Sequence, residues 1–169
     1  MTFLTAVEAA AILVAVAVMG DFTHFTWWAI STYVAFLGSR LCGLAQRTWV
    51  FCLCVQIIVI AGVVGMSATA CDTLVDAAHD NGPVVYVVGN FAMHYWPAIG
   101  ILARRPTGRP ASHEAQAWSA AMLFLVYATI KRPNSVYGCP VPYDGTVVGG
   151  FVVGASAAAL VSEYVVPTL

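Results

Sequence analysis

The chain alternates long apolar stretches with short polar connections, and six of those stretches are about long enough to cross a bilayer. They cover about residues 3–20, 22–38, 48–70, 83–103, 115–130 and 146–166. A spanning helix needs about 20 mostly apolar residues, because lipid offers no partner to an unpaired backbone group. The third and sixth stretches hold no Lys, Arg or Asp, and the fifth is the shortest, at about 16 residues. The connections are too short for a soluble domain. Only 9% of the residues are charged and 60% are hydrophobic, against about 25% charged in a soluble protein. Such a chain is not disordered, and with a net charge of −1 it has no basic face for nucleic acid. The expectation is an all-α, polytopic integral membrane bundle of six transmembrane helices, forming a single transmembrane domain over residues 1–169. The first stretch is read as a retained helix rather than a signal peptide, since it lacks a positive leading region and carries Glu8.

Basic residues set the expected orientation. With six spans, the second and fourth connections lie on the same side as both termini and carry Arg40, Arg47, Arg104, Arg105 and Arg109. The other side carries Lys131 and Arg132, with Asp72, Asp76 and Asp80 in its middle connection. Five basic residues against two predict both termini on the cytoplasmic side. The tryptophans fall mostly near span ends, as an interfacial aromatic belt would.

Cys52 and Cys54 lie inside the third span and Cys42 near the inner end of the second, where cysteine serves as a small apolar packer. Cys71 and Cys139 both fall on the outer side, where an oxidising exterior would permit a disulfide. In the last span Gly150, Gly154 and Ala158 follow one another at intervals of four, a spacing that lets two helix backbones approach closely.

An ionisable group in hydrocarbon is a site candidate by default. Within the spans these are Glu8, His24, His94 and Glu163. The two glutamates lie near inner helix ends, within reach of interfacial water. His94 sits mid-span, with Asn90 one turn before it on the same helix face and Pro97 just after. A proline there frees a backbone carbonyl and kinks the helix, which can line a polar cavity. A neutral imidazole can act as a general base. Other chemistries are excluded. Lys131, the one lysine, is beside a connection and cannot hold a retinal Schiff base, and no phosphate-binding Gly-rich loop or potassium-filter run occurs. The four histidines have no metal-ligand spacing, and no cofactor is expected.

The layout is similar to the androgen-induced family of six-pass membrane hydrolases, which cleave fatty acid esters of hydroxy fatty acids with an intramembrane threonine and a histidine. Phe25-Thr26-Trp27-Trp28 with Val34-Ala35-Phe36-Leu37-Gly38 resembles the family's second span, and Arg47-Thr48-Trp49 the opening of the third. Asn90 to Pro97 resembles the segment carrying the family histidine. Val136-Tyr137 to Pro142 resembles the fifth connection, and Leu160 to Glu163 an element of the last span. The resemblance implies Thr26 as nucleophile and His94 as base, with Asn90 orienting the imidazole or donating to an oxyanion. It implies lipid esters as substrates. Counted from the outer ends of their helices, however, Thr26 and His94 differ in depth by roughly 9 Å, which tilt or a fourth helix beginning near Tyr86 would close. The alternative is a non-catalytic structural membrane subunit of a larger assembly, such as a respiratory-type complex or a viral inner membrane. The small-residue face of the last span and the scarcity of extramembrane surface fit that role. Partners on either reading are membrane lipids, and on the second also protein subunits.

Overall fold

A computed structural model describes residues 2–68, 76, 79–80, 82–107, 112–131 and 154. Among them all regular structure is helical: α1 (Thr2–Met19), α2 (Phe25–Leu41), a 3-10 turn (Ala45–Arg47), α3 (Trp49–Ala68), α4 (Pro83–Asn90), a π-helical turn (Phe91–Tyr95), α5 (Trp96–Ala103) and α6 (His113–Lys131). Residues 83 to 103 thus form one continuous rod with a widened turn inside it. The expected stretch 146–166, and with it Gly150 and Ala158, lies outside the described residues apart from Gly154, as do Cys71 and Cys139. Gly154 is helical and exposed, and among the described residues nothing lies within 4 Å of where its Cβ would stand.

Among the described residues one helix, Trp49–Ser67, is both long and apolar enough to cross a bilayer, with mean hydropathy 2.5, and Phe3–Met19 is apolar but shorter. The physical reasons for the other expected spans are local. α2 has 17 residues, the rod over 83–103 is divided by its π turn, and α6 begins on the polar run His113-Glu114-Ala115-Gln116.

α3 is the hub, packed against α2, α5, the π turn and α6. Trp49, Val50, Cys52, Cys54, Val55 and Gln56 along it are fully buried. The start of any helix leaves backbone N–H groups without intrahelical acceptors. Here Gln116 of α6 supplies one, its Oε1 accepting from the N–H of Val50 at 3.1 Å and of Phe51 at 3.3 Å, while its Nε2 donates to the Gln46 carbonyl at 3.2 Å. α2 is tied to α3 by Gln56 Nε2, which donates to the Ala29 carbonyl at 2.8 Å, and by Cys52 Sγ, which donates to the Thr32 carbonyl at 3.2 Å. Cys52 and Cys54 are buried as core packers, whereas Cys42 is exposed.

The helices alternate in direction, so their connections gather at two ends. At one end Arg40 Nη1 donates to the Arg104 carbonyl at 2.6 Å, and Gln46 Nε2 donates to the Thr107 carbonyl at 2.7 Å. At the other, the Tyr127 hydroxyl of α6 donates to the Thr23 carbonyl between α1 and α2 at 2.7 Å. Between them a polar knot joins three helices. Glu8 of α1 forms an ion pair with Arg104 just after α5, and accepts from the Tyr33 hydroxyl of α2 at 2.6 Å and from Trp96 Nε1 at 3.1 Å. Glu8, expected to reach water, is instead the hub of this network, because Arg104 and Tyr33 satisfy it inside the bundle. Gly100 makes room for it, since a Cβ there would stand 2.1 Å from Tyr33 Oη.

With both side chains of the ion pair less than one-fifth exposed, removing one leaves the other charge poorly compensated, at a cost of about 3 kcal/mol. Thermal unfolding in detergent is expected to show a marked fall in Tm for Glu8→Ala and for Gly100→Ala, with a smaller fall for Glu8→Gln, which keeps an acceptor for Tyr33. Equal Tm values for Glu8→Ala and the wild type would show that the knot is not what joins α1 to the bundle.

Candidate active site

The site begins with a turn that decides where α2 starts. Asp21 accepts from the Thr23 amide at 3.0 Å and the Thr23 hydroxyl at 2.6 Å, and its second carboxylate oxygen lies 3.1 Å from His24 Nδ1. These bonds, the Thr23 hydroxyl first among them, hold the Asp21 carboxyl below its ordinary pKa. The Trp28 indole N–H reaches back to the Phe22 carbonyl at 2.9 Å, and Tyr127 ties down Thr23. The helix therefore starts at Phe25 rather than at residue 22. His24 belongs to this turn through its contact with Asp21, so it is not an isolated imidazole inside a span. Thr26 falls in the first turn of α2 and is 9% exposed.

The second half of the site is the rod over 83–103. Pro97 has no N–H to give the carbonyl one turn back, and its ring would clash with that carbonyl in a regular helix. The backbone answers with the π turn just before it, in which the Trp96 N–H pairs with the carbonyl of Phe91, five residues back. Single π turns of this kind recur at functional sites. His94 stands within it. Asn90 and Tyr86 precede it at four-residue intervals along one face, and Asn90 Nδ2 donates to the Tyr86 hydroxyl at 3.3 Å.

The two halves meet. Thr26 Oγ1 lies 3.1 Å from His94 Nε2, 68 positions apart in the chain. On the far side of the ring His94 Nδ1 lies 3.0 Å from both the backbone carbonyl oxygen and the side-chain Oδ1 of Asn90. A backbone carbonyl can only accept, so in the neutral ring the proton sits on Nδ1. Nε2 then presents its lone pair, and the Thr26 hydroxyl donates to it. This tautomer does not depend on how the Asn90 amide is oriented, since the backbone oxygen alone requires it.

The depth difference of roughly 9 Å does not keep the pair apart. The rod does begin at Pro83, but α2 packs against the π turn and α5. The first turn of α2 therefore lies level with the middle of the rod. Tyr86, Asp21 and Tyr127 were not singled out in the sequence. Tyr86 carried a signal, since it stands one turn before Asn90 on the same face, whereas nothing in the sequence placed Tyr127 against Thr23.

In the chain on either side of His94, the apolar side chains of Phe91 and Trp96 are exposed, at 47% and 46%. Among the described residues no group of three or more His, Cys, Asp or Glu is placed to hold a metal ion. Comparison with protein families, curated proteins and solved structures finds no match to the chain.

The hydrogen-bond pattern predicts the ring state directly. Nitrogen-15 NMR of selectively labelled protein is expected to show the neutral His94 ring protonated at Nδ1 and bare at Nε2. The reverse tautomer would mean that Thr26 accepts rather than donates, and would remove the general-base arrangement.

Proposed function

We propose that the chain is a multi-pass membrane hydrolase of lipid esters, with Thr26 as nucleophile, His94 as general base and Asn90 as the group that orients the ring. The observation that carries this reading is the 3.1 Å contact between Thr26 Oγ1 and a His94 Nε2 whose other nitrogen is held by Asn90. A nucleophile within hydrogen-bond reach of a base, with the base fixed by a third group, is the arrangement shared by hydroxyl-nucleophile acyl transferases and hydrolases. The similarity to the androgen-induced family leads to the same residues.

In the first half-reaction His94 Nε2 takes the proton from Thr26 Oγ1 as that oxygen bonds to the ester carbonyl carbon. The tetrahedral intermediate collapses, the bond to the alcohol oxygen breaks, and His94 returns the proton to the departing alcohol. In the second, His94 takes a proton from water, the resulting hydroxide displaces the acyl group, and Thr26 Oγ1 regains a proton. Since the reaction starts and ends with neutral groups, it suits an apolar setting.

A lipid setting is supported by what the bundle exposes. Large apolar side chains face outward along α1 (Phe3, Leu4, Leu13, Val18) and along α4, where Val84 is 73% exposed. Apolar surface of this extent marks contact with lipid or another protein. Arg40, Arg47, Arg104 and Arg105 lie at or beside the helix ends remote from the α1–α2 turn, the side that the positive-inside rule would assign to the cytoplasm. An ester entering sideways from the bilayer would meet Phe91 and Trp96, on either side of His94 in the chain.

Reaction with a fluorophosphonate probe tests the reading. Wild-type protein is expected to label, Thr26→Ser to retain labelling, and Thr26→Val and His94→Ala to lose at least about 100-fold in rate, the usual contribution of a positioned base. Asn90→Leu is expected to fall between them. Folded wild type that does not label would turn the conclusion to the non-catalytic membrane subunit.

A further inference from the structure

Tyr86, Asn90 and His94 follow one another at four-residue intervals, which places them one above another on a single helix face. All three are partly buried, whereas Val84, Val85, Val87 and Val88 around Tyr86 are at least 62% exposed. The bonds along this face all run in one direction. Thr26 Oγ1 donates to His94 Nε2 at 3.1 Å, and His94 Nδ1 donates to the carbonyl and Oδ1 of Asn90, each at 3.0 Å. Asn90 Nδ2 then donates to the Tyr86 hydroxyl at 3.3 Å.

The order of these bonds follows from the backbone. The Asn90 carbonyl can only accept, so the ring proton stays on Nδ1. An amide turned the other way would set its own N–H groups against that proton. Asn90 must therefore present Oδ1 to the ring, and its Nδ2 is then directed along the face to Tyr86. In a one-way chain each bond polarises the next. Donation to Tyr86 makes Oδ1 a better acceptor for Nδ1–H, and the ring nitrogen facing Thr26 accepts more strongly in turn. We infer that Tyr86 is a positioning residue for the Thr26–His94 pair, holding the Asn90 amide in the plane where its oxygen keeps the imidazole in place. Its effect on turnover rests on the hydrolase reading. Its effect on the ring does not.

The test compares full-length wild type, Tyr86→Phe, Asn90→Leu and the double variant in detergent, with Tm as the control for folding. Two quantities are read: hydrolysis of a chromogenic fatty-acyl ester, and exchange of the His94 Nδ1 proton with water by nitrogen-15 NMR. Tyr86→Phe is expected to lower kcat about three- to tenfold, the equivalent of one neutral hydrogen bond, with KM changed less than about twofold because Tyr86 acts through the ring rather than on the substrate. The Nδ1 proton is expected to exchange at least about threefold faster in that variant, as the bond that retains it weakens. The double variant is expected to be no slower than Asn90→Leu alone, since Tyr86 acts through Asn90. A wild type that does not hydrolyse the ester would count against the hydrolase, and the exchange rate would then decide the role of Tyr86 by itself. Exchange unchanged in Tyr86→Phe, an unchanged kcat in an active protein, or losses that multiply in the double variant would overturn the inference.

Discussion

Pro97 removes a backbone donor from the middle of a long apolar helix, and the widened turn that absorbs this loss sets where His94 stands. Without that turn, residues 83 to 103 would run as a regular helix, and the ring would keep the regular spacing from Asn90 and from α2. With it, His94 holds Asn90 through one nitrogen and Thr26 through the other. The same rod continues into α5, whose end carries Arg104 into the knot with Glu8 and Tyr33. One local defect in helix geometry therefore positions the dyad above a charged anchor that ties α1, α2 and α5 together.

The molecule divides its polar groups by kind. Neutral donors and acceptors make up the dyad, where proton transfer needs no permanent charge. Full charges sit in the Glu8–Arg104 pair and at helix ends, with Arg40 and Arg105 at one end of the bundle and Asp21 in the turn before α2 at the other. The division follows from the cost of charge in apolar surroundings. An ion pair persists where hydrogen bonds from Tyr33 and Trp96 satisfy the remaining carboxylate lone pairs, as they do for Glu8.

The helical class and the positions of five helices were legible in the sequence, since long apolar stretches between short connections admit little else. His94 and Asn90 were legible too, from a single helix face read at four-residue spacing. The start of α2 was not, because it depends on a turn in which Asp21, Thr23 and His24 bond one another and Tyr127 arrives from 104 positions away. The meeting of Thr26 with His94 was hidden for the same reason. Counting residues from the helix ends assumes that the helices begin level, and α2 and α4 do not. Glu8 looked like a group at the interface because its partners, Tyr33, Trp96 and Arg104, lie 25, 88 and 96 positions away in the chain.

The central claim is that Thr26 forms a covalent bond to an acyl group. Incubation with a chromogenic fatty-acyl ester, rapid acid quench and peptide mass spectrometry tests it most directly. The account predicts an acyl mass increment on the peptide containing Thr26, absent in Thr26→Val and slow to form in His94→Ala. Ester turnover with no adduct on Thr26, or with the adduct on another residue, would contradict it.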